Sequence, residues 1–328
     1  MTTNHFKLLT KPDFRLLKYR VDMTPEVDHT ATRKALLYAH EAVLPSALFD
    51  GTLLFTDTRL QPEPKVLQST MREGTVVTIN IRLVEELQPT DWHYMQFFSI
   101  VLRRCLEKMD LTQIRRDFFD PKAAVKLQQY KLELWPGYVT TIRQHEDSMM
   151  LCVEISHKIL RMDTVLEQIA AISNKNRANY RAACERELLG QIVMTRYNNT
   201  TYRIDDIDWS AKPTDTFVGR KGETMSFIQY YQNKYGREVR DGGQPLLVSM
   251  PTLKDKRAGQ DTPRLLVPEL CNLTGLSDEQ RANFQLMKQM AEHTRQDPER
   301  RVRSLKKFAD RLKNTAGVQE VLGKWNLR

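Results

Sequence analysis

Cysteine is scarce and scattered in this sequence of 328 residues. Its four cysteines, Cys105, Cys152, Cys184 and Cys271, form no C-x-x-C pair, and the seven histidines do not gather near them at ligand spacing. That argues against a zinc site or a disulfide framework, and the cysteines read as reduced, mostly buried thiols. No apolar run approaches the roughly 20 residues of a membrane-spanning helix, so no membrane partner is expected. The N-terminus lacks the basic, apolar and small-residue order of a secretory signal. The expectation is an intracellular protein, with cytoplasm, perinuclear granules and nucleus left open. Met1 is followed directly by a strand-like segment, as in a piece of a longer chain. A P-loop, G-x-G-x-x-G, G-x-S-x-G and H-E-x-x-H are all missing. These residues are therefore expected to hold no catalytic site, no metal and no small-molecule cofactor.

Hydrophobic residues make up 41% of the chain and charged residues 28%, the balance of a soluble globular protein, and the length calls for two or more domains. The net charge is +9, which points to a polyanionic partner.

Residues 1–88 read as mixed α/β. Strands are expected at His5–Leu9 and Arg15–Asp22, a helix over Thr30–Val43 stopped by the Leu44–Pro45 step, and strands at Thr52–Thr56, Lys65–Ser69 and Thr75–Leu87. In the last strand Val77, Ile79, Ile81 and Leu83 alternate with polar residues, so one face is buried. Thr90 or Asp91 can cap a helix running to about Lys108, with Trp92, Met95 and Phe98 on its apolar face. Strand-like segments follow, with Trp135–Pro136–Gly137–Tyr138 as a turn between two of them.

From Asp163, read as a helix cap, two helices lead to Gly190. The strands then shorten: Gln191–Arg196, Thr201–Asp208, Leu246–Met250 and Arg264–Val267. Short strands interrupted by a helix–loop insertion fit a small barrel with an appendage. Beyond Ser277 the chain reads as helical, opened by the capping box Ser277-Asp-Glu-Gln and later by Asp297-Pro-Glu. The helix Glu299–Asn314 carries Arg300, Arg301, Arg303, Lys306, Lys307 and Arg311, either a solvated face or a border for phosphates. Lys254–Asp261 reads as a charged loop.

Two clusters are candidates for chemistry. Asp205, Asp206 and Asp208 lie on one segment, whereas a two-metal site needs carboxylates converging from separate elements, so they read as a strand end feeding a turn. The stretch Phe227–Tyr235 is more unusual. As a helix it lines up Phe227, Tyr230, Tyr231, Lys234 and Tyr235 at i, i+3, i+4, i+7 and i+8. Phenols join a flat apolar face to a hydroxyl donor, which suits a ligand with both rings and charged oxygens. The alternative is a half-buried helix whose tyrosines satisfy one another. Tyr197, Tyr202 and Phe217 lie nearby in sequence, interleaved with Arg196, Arg203, Lys221 and Lys234. Bases stack on aromatics, and phosphates draw arginine, lysine and tyrosine donors.

Four ordered motifs then carry a resemblance: Thr201-Tyr-Arg-Ile-Asp-Asp-Ile-Asp-Trp, Thr216-Phe217, Gln229-Tyr-Tyr-Gln-Asn-Lys-Tyr235, and Leu265-Leu-Val-Pro-Glu-Leu-Cys-Asn-Leu-Thr-Gly275. Together they resemble the PAZ domain of the Argonaute superfamily, more closely that of the Piwi clade. Gln113-Ile-Arg-Arg-Asp-Phe-Phe-Asp and Leu134-Trp-Pro-Gly-Tyr resemble its first linker. The fold implied is an α+β multidomain chain: a mixed α/β N domain over 1–108, linker 1 over 109–162, a small OB-like β-barrel PAZ domain with a helix–hairpin insertion over 163–276, and a helical second linker over 277–328.

The resemblance implies a module that binds the 3′ end of a single-stranded small guide RNA (a piRNA), with a 2′-O-methylated end, in transposon and gene silencing. Tyr230 and Tyr235 would meet the terminal phosphates. Tyr202, Arg203 and Phe217 would line the opposite wall, Leu265 and Leu266 the apolar wall near the sugar, and Tyr231 would offer a clade-specific hydroxyl. Arg196, Tyr197 and Lys234 are further candidates; no histidine stands near Thr195–Arg196, where Argonaute-clade relatives tend to have one. The family's slicing activity lies in an RNase H-like PIWI domain and its 5′-phosphate pocket in a MID domain, so those domains of the parent chain are implied partners and this segment is read as non-catalytic. A different class of function, a basic scaffold that docks a protein partner, stays open, with the tyrosine stripe then structural.

Overall fold

The computed structural model describes residues 3–44, 46–71, 73–146, 148–219, 222–257 and 261–327. Two compact units account for them: Met1–Asp110 with Thr140–Glu154 and Val302–Arg328, and Leu111–Val139 with Ile155–Arg301. Among the described residues no helix is long and apolar enough to cross a membrane.

The first unit is built on a five-stranded antiparallel sheet in the order Ala47–Phe49, Leu53–Thr56, Leu17–Thr24, Val76–Glu86, Lys65–Thr70. The register sets Val21 opposite Ile81 and Met23 opposite Ile79. These alternating residues form one core with Leu36 and Leu37 of the helix Thr30–Tyr38. That helix ends well before Val43. Residues beyond it continue as hydrogen-bonded turns, and His40 is held by the Ser69 hydroxyl at 2.8 Å. The proline invoked as its stop, Pro45, lies outside the described residues. The helix Trp92–Lys108 covers the sheet's other face, with Phe97 ringed by Phe55 at 6.1 Å and Trp325 at 4.7 Å. Trp92, expected on that apolar face, is 63% exposed because it sits at the first helical position, ahead of the packed turns.

In the second unit the expected turn at Trp135–Tyr138 is absent. A single strand, Leu132–His145, runs through it. Leu132–Leu134 pair with Val125–Leu127, then Gly137 and Tyr138 pair with Phe119 and Phe118. Pro136 falls between the two partners, where no ladder donor is required, and its carbonyl accepts from Asp120 N at 2.8 Å. Gly137 permits close approach: a Cβ there would run into the Phe118 carbonyl oxygen and stand 2.9 Å from the Phe119 Cα.

The end of a larger antiparallel sheet, which continues from Cys271–Thr274 into Ser148–Thr164, and a separate three-stranded sheet close on one core in this unit. Ile192–Thr195 lies between Thr200–Arg203 and Cys271–Thr274, and Leu246–Ser249 lies between Asp206–Asp208 and Arg264–Leu266. Val193 and Leu273 from the first sheet meet Ile207, Leu247 and Leu266 from the second, beneath Val165, Ile169 and Ile172 of the helix Val165–Lys175. The product is a mixed α+β chain with a small barrel-like β domain. The strand expected over Thr201–Asp208 is two strands, because the chain changes partner: Ile204 N donates to Gln191 O, and Asp205 N to Val248 O. The cap of Val165–Lys175 is Thr164, one residue later than expected, in a capping box with Glu167, while Asp163 pairs with Lys131 at 3.0 Å. The hairpin Thr216–Val218 and Thr224–Ser226 leads directly into the helix Phe227–Tyr235. Later helices run over Asp278–Ala282, Phe284–Thr294, Pro298–Asn314 and, within the first unit, Ala316–Gly323. Part of the Lys254–Asp261 segment, expected as a loop, is a short helix, Leu253–Arg257.

Candidate functional site

The Phe227–Tyr235 helix is fixed at both ends. Ser226 Oγ accepts from Gln229 N at 3.2 Å and Gln229 Oε1 accepts from Ser226 N at 3.1 Å. Gly236, at φ 60°, turns the chain off the helix in the left-handed region. The S-x-x-Q spacing of Ser226 and Gln229 is the local signal for this capping box.

The stripe is brought together as an aromatic cluster. Tyr197, from the turn after Ile192–Thr195, sets its ring 4.5 Å from Tyr235 and 5.1 Å from Tyr231. Tyr230 lies 5.3 Å from Tyr231 and 6.0 Å from Tyr235. Phe217, on the hairpin, stands 4.7 Å from Phe227 and 5.5 Å from Tyr230. Val239, Leu246 and Val267 are its buried floor, with Leu265 packed against them.

Within the cluster the phenols differ. Tyr231 is only 3% exposed, and its hydroxyl lies 3.3 Å from that of Tyr197. Burial pushes both phenols upward in pKa, so both stay neutral hydrogen-bonding groups. Tyr230 and Tyr235 are half-buried and reach the surface. Lys234 Nζ donates to the Tyr230 hydroxyl at 2.8 Å and lies 5.0 Å and 5.3 Å from the Tyr230 and Tyr235 ring centroids. The Tyr230 hydrogen bond raises the lysine's pKa, so the ammonium is firmly charged. The exposed edge is thus a cation flanked by two phenols.

Other candidates are placed differently. Leu265 joins the tyrosines, but Leu266, next on the strand, faces the barrel core. Tyr202 packs against that core too, with the Arg264 guanidinium 5.9 Å from its ring. Arg203 points away from Tyr202 and pairs with Asp205 at 2.5 Å. Arg196 is held by Glu133 at 2.8 Å and lies over Trp135 at 5.6 Å. Lys221 lies outside the described residues. The carboxylates serve turns: Asp208 Oδ1 accepts from Ser210 N at 2.9 Å and Ala211 N at 3.0 Å, and Asp205 Oδ2 from Met250 N at 2.7 Å. Among the described residues no group of three His, Cys, Asp or Glu could hold a metal.

Three family models match this chain: the PAZ domain over residues 165–297, the Piwi N-terminal domain over 15–86, and the Argonaute linker 1 domain over 113–161. The Piwi-like protein Siwi of Bombyx mori is 43% identical over 329 residues, covering 100% of this chain and 36% of that protein. Protein aubergine of Drosophila melanogaster is 39% identical, covering 99% and 38%. The crystal structure of Drosophila Piwi superposes with a TM-score of 0.73 at 35% identity, over 99% of this chain and 41% of that one. The chain belongs to the Piwi clade of the Argonaute superfamily. It spans a little over a third of the length of the curated relatives it matches.

Within this Piwi-clade PAZ region, two features escaped sequence reasoning. Arg264 is locked by Asp255, whose carboxyl it holds well below the usual carboxylate range. Glu269 ties down the loop after the tyrosine helix, accepting from Arg240 N at 2.9 Å and Asp241 N at 3.2 Å. Neither pairing has a local spacing signal, since Glu269 lies some thirty residues from the loop it holds.

Proposed function

We propose that the protein binds the 3′ end of a single-stranded small guide RNA, a piRNA, in the pocket bordered by Tyr230, Lys234, Tyr235, Phe217 and Leu265. The observation that carries the reading is the Lys234 ammonium held 2.8 Å from the Tyr230 hydroxyl at the exposed edge of an aromatic cluster. A terminal phosphate meets a cation and phenol donors there, and a base or sugar meets Phe217. Tyr197 and Tyr231 act behind them as a part-buried hydroxyl pair that fixes the helix. Tyr202 and Leu266 support the pocket from the barrel side. Arg203, its side chain 64% exposed, can exchange Asp205 for a phosphate, whereas Arg196 is the weaker candidate because Glu133 holds it.

Methylation of the terminal 2′-hydroxyl adds apolar surface and removes a donor. Burying one methyl-sized group against Leu265 and Phe217 contributes about 0.8 kcal/mol, roughly fourfold in affinity. The reading extends to the parent protein: a Piwi protein in transposon and gene silencing, inside the cell, whose MID and PIWI domains hold the rest of the guide. It also divides this chain into an N domain over 1–108, linker 1 over 109–162, PAZ over 163–276 and linker 2 over 277–328, with no catalysis of its own. Titration with paired oligonucleotides, 2′-O-methylated and free, tests the preference; equal affinities overturn it. A bulky 3′ block should abolish tight binding, and unchanged binding would overturn the end-recognition reading itself.

A further inference from the structure

One face of the Thr200–Arg203 strand belongs to the barrel core through Tyr202; the other carries Thr201 and Arg203. Thr201 stands opposite Met194, which packs with Ile114, Phe119, Trp135 and Leu160. The rim of that cluster is basic. Arg115 occupies a left-handed corner, φ 60°, of the tight hairpin joining Thr112–Ile114 to Asp117–Phe119. Gln113 Nε2 donates to its carbonyl at 2.8 Å, which braces the corner. Arg115 Nε donates to the Thr201 hydroxyl at 3.3 Å, a neutral acceptor, and its other N–H groups meet no acceptor among the described residues.

Lys158 lies two residues before Leu160, on the same face of the strand Ser148–Thr164. It is half-buried, and among the described residues it makes no hydrogen bond and no ion pair. Burial first, then the Arg115 charge, push its pKa down, and Asp117 opposes them. A half-buried ammonium beside a guanidinium, with Asp117 acting on it but, among the described residues, no carboxylate in ion-pair contact, is unfavourable in the absence of an anion.

We propose that Arg115, Lys158 and the Thr201 hydroxyl form a second anion seat, which takes a backbone phosphodiester of single-stranded RNA upstream of the last two nucleotides. A planar fork, a point charge and a hydroxyl match the oxygens of a phosphodiester. The five apolar residues beneath are all buried, which leaves no exposed apolar floor for a protein or lipid. The seat shares a strand with Tyr202, which ties it to the end-binding pocket and to the function proposed above, on which this inference rests.

The test uses the whole chain, an octanucleotide and a dinucleotide, both 2′-O-methylated at the 3′ end, with Lys158→Met, Arg115→Gln and Tyr230→Ala. Each lost phosphate contact should lower octanucleotide affinity about fivefold at 0.1 M salt and reduce the salt slope by about 0.7. The dinucleotide, confined to the terminal pocket, should bind Lys158→Met and Arg115→Gln as well as the parent. Lys158→Met should melt no lower than the parent, because an unpaired half-buried charge is gone. If Tyr230→Ala weakens both oligonucleotides while the other two variants leave octanucleotide affinity and slope unchanged, the second seat is overturned and the pocket stands. Equal losses on both oligonucleotides in Lys158→Met and Arg115→Gln also overturn the seat, since they mark a general charge effect. Absence of binding to either oligonucleotide by the parent chain overturns seat and pocket together.

Discussion

Lys234 donates to the Tyr230 hydroxyl one helical turn before it, at 2.8 Å, and so holds a charge at the mouth of an aromatic cluster. A phosphate arriving there meets a lysine already oriented. Tyr230→Ala removes both the ring and the orienting hydroxyl. It should weaken binding of a 3′-methylated oligonucleotide by about 1–3 kcal/mol, as read by fluorescence titration. Lys234→Met should weaken binding and flatten its salt dependence. Unchanged affinity in both correctly folded variants would favour the scaffold reading.

Tyr231 is buried, and among the described residues its hydroxyl meets only a neighbouring phenol. Tyr231→Phe leaves the Tyr197 hydroxyl without that partner. The loss should be about 0.5–1.5 kcal/mol of unfolding free energy in urea. The Tyr197→Phe, Tyr231→Phe double variant should recover part of it, because two missing hydroxyls leave none unsatisfied. Additive losses in the double-mutant cycle would show that the pair does not act as a unit.

Gly137 allows its strand to lie against Phe118 and Phe119. Gly137→Ala should destabilise the protein by about 1–3 kcal/mol through overpacking, because the obstructing atoms are mainly backbone. A melting temperature equal to the parent's would contradict the close approach.

The Arg264 guanidinium keeps the Asp255 carboxyl depressed in the folded protein. A depressed carboxylate contributes stability that is fully present above its unfolded pKa of about 3.9 and is lost as pH falls through the folded value. The stability gap between the parent and Asp255→Asn should therefore stay level from about pH 5 to pH 7 and shrink below about pH 4. Urea unfolding across that range measures it; a gap that widens in acid would contradict the pairing.

Three of the thiols are buried, and burial raises their pKa, Cys105 to about 12 and Cys184 to about 11, with Cys271 raised as well. Cys152 is only half-buried. Alkylation of the native protein at pH 8, read by peptide mass spectrometry, should mark Cys152 first and the other three only on unfolding.

Local signals carried far in this chain. Alternation in Val76–Glu86, the capping box at Ser277, and the tyrosine spacing in Phe227–Tyr235 each depend on residues within a turn or two, so sequence alone exposes them. The order of four PAZ-like motifs was legible for the same reason. Sequence by itself therefore determined the class of chain, its barrel-like domain and the helix that matters. Tertiary structure decided the directions. It sent Leu265 to the tyrosines and Leu266 to the core, buried Tyr231 while leaving Tyr230 at the surface, and tied Arg196 and Arg203 to carboxylates. It also joined Arg115 to Thr201 across 86 positions of chain. Alternation says that neighbouring side chains on a strand oppose each other, but not which side meets the core. Partners distant in sequence leave no spacing to read, because only packing brings them within bonding distance.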